Sequence, residues 1–413
     1  MKWLWLTLAD PEPAENGQLL YSRGVIQALA SAGIELDVIG LARPGGHHVD
    51  GEQTGTTHWW LAPHEPPSRW SALASELPAV GRRNFTPAMR DLIAGFIERP
   101  GWDAVVFDSI ATGWALASLQ RHYDGDTRPP IVYIAHNHEE SVAEAITDAE
   151  RHPVKRQLKR RDACKVRALE RSLCDAADLI ASNALEDGAK FLARRPDKRV
   201  LFLPPSYDGS HVAARTIDAT LPRRAVIVGT FDWLPKRTSL ERFLSQADAL
   251  LAANGVELHV VGRAEDDLIN RLRARFPATK FTGRVPEVAS HMATARLALV
   301  PDTLGGFKLK ALDYVFNRLP ILAIDGSVPG TPLVPGKSIL LYPDHPTLAR
   351  GVLDVIDDFS RLNALQEHAF AACRNAFDSA TLAQWLIDAV TSLAAPEPAA
   401  DAYLALKVRA AGS

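Results

Sequence analysis

The 413-residue sequence predicts an α/β protein of two doubly wound, largely parallel-sheet domains. Three observations predict it. Short apolar runs alternate with amphipathic helical stretches, the series is broken once near the middle, and the length exceeds what one hydrophobic core ordinarily serves.

In the first half the strand-like runs are KWLWLTL, IELDVIGL, THWWLAP, AVVFDS, PIVYIAH, ADLIAS and RVLFLP. Nearly unbroken apolar runs suit strands covered on both faces, as in a parallel sheet flanked by helices. Helical periodicity fills residues 18–32, 90–99 and 155–176. The second half repeats the scheme with AVIVGTF, ELHVVG, KFTG, LALVPD, PILAI and ILLYP, and a helix is expected over 239–253. Between the halves, PPSYDGSHVAARTIDATLPRR keeps no period and is rich in Pro, Gly, Ser and Thr, so it reads as a linker. After Tyr342 only helical patterns follow, at 348–356 and 380–393, then a tail containing APEPAAD. The expected organisation is a first domain over 1–205, a linker over 206–224 and a second domain over 225–378. A final helix and tail over 379–413 would cross back to the first domain.

Composition excludes several classes. At 47% hydrophobic and 23% charged, with formal net charge -3, the chain has no overall attraction to nucleic acid. Cys164, Cys174 and Cys373 form no C-x-x-C pair and are expected as plain apolar residues in a reducing, cytoplasmic setting. The apolar run at the start is too brief for a signal segment, and no stretch is long enough to span a bilayer. One local exception is 151–171, where nine basic and two acidic residues share a long helical stretch. Such a helix is either a solvated face or a peripheral contact with anionic lipid at the inner face of the membrane.

In a parallel sheet, ligands sit beyond the carboxyl ends of the strands, so the strand-to-helix loops carry the chemistry. The first such loop, ADPEPAENGQ, contains Asn16 and Gly17, which allow a ligand close approach or simply make a turn and a cap. Neither a dinucleotide G-x-G-x-x-G nor a P-loop pattern is present. The loop after AVVFDS begins at Asp108 and Ser109. The loop HNHEE places His136 at a strand end, where a histidine bonds a substrate hydroxyl or moves a proton. A metal at His-x-His is disfavoured, because alternation turns the rings to opposite faces and no third ligand lies near in sequence. The plainer reading is a cap at Asn137 with solvated Glu139 and Glu140.

Three loops of the second half share a different signature. GTFDWLPKRTS holds Gly229, Trp233, Lys236 and Arg237; GRAEDD holds Gly262 and Arg263; DTLGGFKLK holds Gly306, Phe307, Lys308 and Lys310. Glycine and cations at three helix starts along one sheet edge make a phosphate site. On the last helix Leu309, Leu312 and Phe316 form a buried face, while Lys310 and Asp313 lie three residues apart. They either pair with each other, worth a few tenths of a kcal/mol, or serve a phosphate and a ribose diol. Both roles together describe a nucleoside diphosphate.

On these residues the chain resembles the GT-B-fold glycosyltransferases, nearest the retaining, family-four-like group 1 enzymes of bacterial cell-wall and polysaccharide synthesis. The most specific stretch is VPDTLGGFKLKALDYVFNRLPILA, supported by HVVGRAED, FTGRVPEVASHMATARLALVPD, AHNHE and SLCDAADLIASNALED. The resemblance implies two Rossmann-like domains facing a central cleft. The second would hold a nucleotide sugar as substrate, and the first a glycan, lipid-linked or other hydroxyl acceptor. It implies that Asp313 holds the ribose, that Gly306, Phe307 and Lys308 meet the diphosphate, and that Lys236 and Arg237 neutralise it. Gly17 would close on the diphosphate and His136 would meet the donor sugar or reacting centre. Neither a cofactor nor a metal is implied. The pattern departs at two places: Gly305 stands where the family often has glutamate, and Asp313 is one methylene shorter than the usual second glutamate. Two other readings stay open here, a sugar-nucleotide epimerase and a degenerate, non-catalytic subunit.

Overall fold

The computed structural model describes residues 1–64, 75–123, 128–231, 234–302 and 307–394. The chain divides into two compact units, one of Met1–Ser206 continued from Asp378 onward, the other of Tyr207–Phe377.

The first unit is built on eight strands: β1 Lys2–Ala9, β2 Glu35–Leu41, β3 Gln53–Thr54, β4 Thr57–Ala62, β5 Ala104–Asp108, β6 Ile131–Ala135, β7 Leu179–Ser182 and β8 Arg199–Phe202. Their order is β3-β4-β2-β1-β5-β6-β7-β8, parallel except for the antiparallel edge strand β3. All seven expected runs are strands; β3, two exposed polar residues, carries no apolar run to announce it. Alternate side chains of the central strands face opposite layers. Leu4, Leu6, Val105 and Phe107 pack with Met89, Ile93 and Leu173 from the helices Pro87–Ile97 and Pro153–Ala176. Trp3, Trp5, Val106 and Val132 pack with Ile26 and Leu29 of the helix Gly17–Ser31, and with Leu382 and Leu386 of the helix Ser379–Thr391. Each such side chain, fully buried, contributes about 1.5–3 kcal/mol. Trp3 and Trp5 are therefore core residues and Trp59 is nearly so. Two helices start earlier than periodicity alone suggests, at Pro87 and Pro153, because proline lacks only an N–H that the first turn leaves unused.

The second unit has six parallel strands: β9 Arg224–Val228, β10 Glu257–Val261, β11 Lys280–Phe281, β12 Leu297–Val300, β13 Ile321–Ile324 and β14 Leu340–Tyr342. Their order is β11-β10-β9-β12-β13-β14. The stretch 206–224, expected as a linker, lies almost wholly on this unit. Ile217 is fully buried in its core. Asn363 brackets that residue, its Oδ1 accepting from the Ile217 N–H and its Nδ2 donating to the carbonyl. Arg215 donates to the carbonyls of Ala293 and Ala295, and Tyr207 stacks on Phe316 at 4.4 Å.

Each sheet has one point where the chain reverses the direction in which it adds strands, between β1 and β5 in the first unit and between β9 and β12 in the second. Helices diverge there and leave a crevice at the carboxyl edge. Among the described residues no helix is long and apolar enough to cross a membrane. Cys174 and Cys373 are buried, and burial pushes both thiols up to about 12. Cys164 departs from the expectation of an apolar residue and is exposed on the basic helix.

Candidate functional site

At the reversal point of the second unit, Asp302 follows β12 and is 3% exposed. Lys310, in the first turn of the helix Leu309–Phe316, forms an ion pair with it. Lys308, the N-cap residue of that helix, is 6% exposed, and Lys236 enters from the first turn of the helix Leu234–Ala253 after β9. The three ammonium groups act on one another and on Asp302. Burial pushes Lys308 down to about 8; Asp302 opposes this while Lys310 and Lys236 reinforce it. Burial also lowers Lys236, again with Lys310 adding to the effect. Burial alone would raise Asp302, yet the lysines, Lys310 foremost, hold its carboxyl below the ordinary range.

Of the two readings of Lys310 and Asp313, the pair between them is not what forms. Lys310 turns to Asp302, and Asp313 interacts with the Tyr207 hydroxyl instead. Burial raises the Asp313 carboxyl, partly offset by that hydroxyl. The helix carrying both is fixed by Leu312 and Phe316, as its periodicity requires, and by Tyr314, whose hydroxyl accepts the Val228 N–H at 2.7 Å.

The neighbouring loops support this edge through their backbone. The Gly229 N–H donates to Val261 and the Phe231 N–H to the Arg263 carbonyl, at 3.0 and 2.8 Å. Gly262 sits between them at φ 135°, and a Cβ there would lie 1.9 Å from the Gly229 oxygen, so only glycine fits. Arg237, expected at the phosphates, donates from Nε to the Phe231 carbonyl and pairs with Glu265, which braces this loop. Arg263 is exposed, and Phe307 packs edge-on against Phe377. Trp233, Gly305 and Gly306 lie outside the described residues.

At the reversal point of the first unit stands another buried aspartate. Asp108 ends β5 and is 1% exposed; His136, following β6, meets its Oδ1 through Nε2 at 2.6 Å. Its Oδ2 accepts from Trp5 Nε1 at 3.1 Å and Thr7 Oγ1 at 2.9 Å, both on β1. Burial pushes this carboxyl up, but the His136 ring, Ser22 and Thr7 outweigh it and keep it below the usual range. An ionised Asp108 makes Nε2 the donor, so neutral His136 presents Nδ1 as an acceptor. Tyr21 lies edge-on to the ring at 5.1 Å. Ser109, next in the chain, is held at φ 82°, a conformation that costs an ordinary residue about 1 kcal/mol or more. Gly17 is exposed at the start of its helix, where Asn16 Oδ1 caps the Leu19 N–H at 3.0 Å.

β6 ends at Ala135, before either histidine; His136 meets Asp108, while His138 packs on Phe191 at 5.0 Å and caps the helix Glu139–Asp148 in the place expected for Asn137. A third potential ligand, absent nearby in sequence, does come close in space: His138, Glu140 and Glu170 bring ligand atoms within 4.8 Å of one another. Their partners argue for structure. Glu170 accepts the Glu139 and Glu140 N–H groups at 2.8 and 2.9 Å, and Glu140 faces Arg167, Arg171 and Arg194.

Residues 222–358, most of the second unit, match the family model described as "Glycosyl transferases group 1". Over the whole chain the fold is similar to sucrose-phosphate synthase from Thermosynechococcus elongatus (17% identity, TM-score 0.72, covering 96% of this chain and 100% of that one). It is also similar to HepE from Anabaena in complex with UDP-glucose (14%, TM-score 0.65, 95% and 100%). A mutant TarM from S. aureus, solved with Fondaparinux, α-GlcNAc-glycerol and UDP, gives 9%, TM-score 0.65, 94% and 100%. No curated protein sequence matches the chain. Fold and family match offer nothing to the epimerase or non-catalytic readings. The chain has the GT-B fold, and most of its second unit matches the group 1 glycosyltransferase family model.

Proposed function

We propose that the protein transfers a sugar from a nucleoside-diphosphate sugar to the hydroxyl of a glycan or lipid-linked acceptor, with retention as the family resemblance implies. The observation that carries this reading is the convergence of Lys236, Lys308 and Lys310 on the reversal point of the second unit. Breaking a glycosyl–phosphate bond builds charge on the departing diphosphate, and buried cations beside a helix start are placed to stabilise it. In this reading the lysines take the part of a divalent metal, and none is required. Asp313, beside Tyr207, supplies carboxylate oxygens for the ribose. His136, oriented by Asp108, meets the donor sugar or the reacting centre through Nδ1. UDP sugars are the first donors to try, because HepE is solved with UDP-glucose.

The test is nucleoside-diphosphate release from UDP-, GDP-, TDP- and ADP-sugars with excess chelator present. One donor class should be consumed, and Lys308→Gln should lower kcat/KM at least about tenfold, as for a lost charged hydrogen bond. Consumption of no donor, together with binding of no nucleotide, would remove the transferase reading.

A surface of the first unit favours the lipid-linked form of the acceptor. The basic helix Pro153–Ala176 leaves Val154 63% and Leu158 53% exposed, one turn apart, and Ile146 on the adjoining helix is 43% exposed. Lys155, Arg160 and Arg161 lie on the same exposed turns. Apolar side chains ringed by cations suit an anionic bilayer surface. Co-flotation with phosphatidylglycerol vesicles, lost in Val154→Glu/Leu158→Glu, is the expected result. Equal flotation of that variant would discard the membrane contact.

A further inference from the structure

Asp302 carries the wrong charge for a phosphate pocket. It is nonetheless buried in the middle of one, held by Lys310 and acting on Lys308 and Lys236. We infer that Asp302 is a resident counter-anion that competes with the bound diphosphate for Lys310, so that it limits nucleotide retention and hastens release of the leaving nucleotide. This rests on the donor-binding reading above.

Three ammonium groups gathered at one buried edge lose hydration and repel one another. A carboxylate beside a buried ammonium offsets that cost, and Asp302 supplies one to Lys310. The geometry shows which lysine it engages. Lys310 has Asp313 three residues along its own helix, at the spacing that favours a pair, yet it turns to Asp302. Asp302 sits two residues past the end of β12, buried, with its carboxylate on the Lys310 ammonium, the group that would grip a phosphate. When a diphosphate arrives, Asp302 becomes a like charge at short range in a poorly screened site. Lys310 then divides between the two anions, and the bound nucleotide is held less firmly than three lysines alone would hold it. A purely positioning role predicts the opposite, since removing the carboxylate would let Lys310 wander and weaken binding.

Calorimetry with UDP and with inorganic pyrophosphate separates the two, the second probe being independent of the base. Asp302→Asn should bind both about tenfold more tightly than wild type, with correspondingly slower UDP release in stopped flow. In a Lys310→Gln background the same change should give about threefold or less. Asp302→Ser, read the same way and checked by thermal melting, covers the case in which the asparagine variant folds poorly. Unchanged or weaker binding by the folded variants overturns the inference alone. A wild type that binds neither probe overturns the donor-binding reading and this inference with it.

Discussion

The two sheets place a buried aspartate at the same architectural position, and the two aspartates are answered differently. Asp108 ends the strand beside β1, and Asp302 follows the strand beside β9. Around Asp108 the donors are Trp5, Thr7, Ser22 and His136. That arrangement closes on itself: the carboxylate is satisfied, and its product is a histidine with a fixed ring and a defined free nitrogen. Around Asp302 stand three lysines, and Lys310 pairs with it directly. In the proposed function an added anion joins this cluster. One crevice is built to orient a group, the other to receive charge.

The contrast can be broken at several places, and the largest effect is expected in the second unit. Gly262→Ala puts a methyl group 1.9 Å from the Gly229 oxygen at a φ of 135°. The adjoining loops must separate, at a cost of about 3 kcal/mol or more, visible as a lowered urea midpoint. Asp108→Ala comes next, because it leaves His136, Trp5 and Thr7 without their acceptor inside the first unit. A loss of about 3 kcal/mol is expected, whereas Asp108→Asn should keep most of the stability and still lose turnover. A retained kcat in Asp108→Asn would show that the orientation of His136 does not matter.

The lysine pocket should reveal itself through pH. Burial pushes Lys308 down to about 8 in the folded protein, below the ordinary lysine value of about 10.4. Between those values the unfolded chain holds more protons, so the free protein gains stability as pH rises through that window. Diphosphate affinity moves the other way and falls as pH passes about 8, because the cation is lost. Parallel trends in melting and binding would contradict this. The smallest change is Tyr207→Phe, which removes the hydroxyl facing Asp313 and should cost about 1 kcal/mol in nucleotide binding, with little change for pyrophosphate.

Most of the fold is legible in the sequence because each parallel strand is a nearly unbroken apolar run. The edge strand Gln53–Thr54 has no such run, and the stretch 206–224 hides a single core residue, Ile217, in an aperiodic segment. The cations of the site are visible as three loops of similar composition. Asp108 shows only as the first residue of a strand-end loop, and Asp302, after LALVP, shows no role at all. Their importance depends on which strands neighbour β1 and β9, a long-range fact that local patterns do not carry. The turn of Lys310 toward Asp302, away from Asp313, is hidden for the same reason, and so is the approach of Glu170 to His138.

In the proposed function the lysine crevice of the second unit, and not the histidine crevice of the first, holds the nucleoside diphosphate. Calorimetric titration of UDP, GDP, TDP and ADP into wild type, Lys308→Gln and His136→Ala tests it most directly. One diphosphate is expected to bind, Lys308→Gln to weaken it about tenfold, and His136→Ala to leave it within about twofold. Equal losses in both variants, or no binding by any diphosphate, would contradict it.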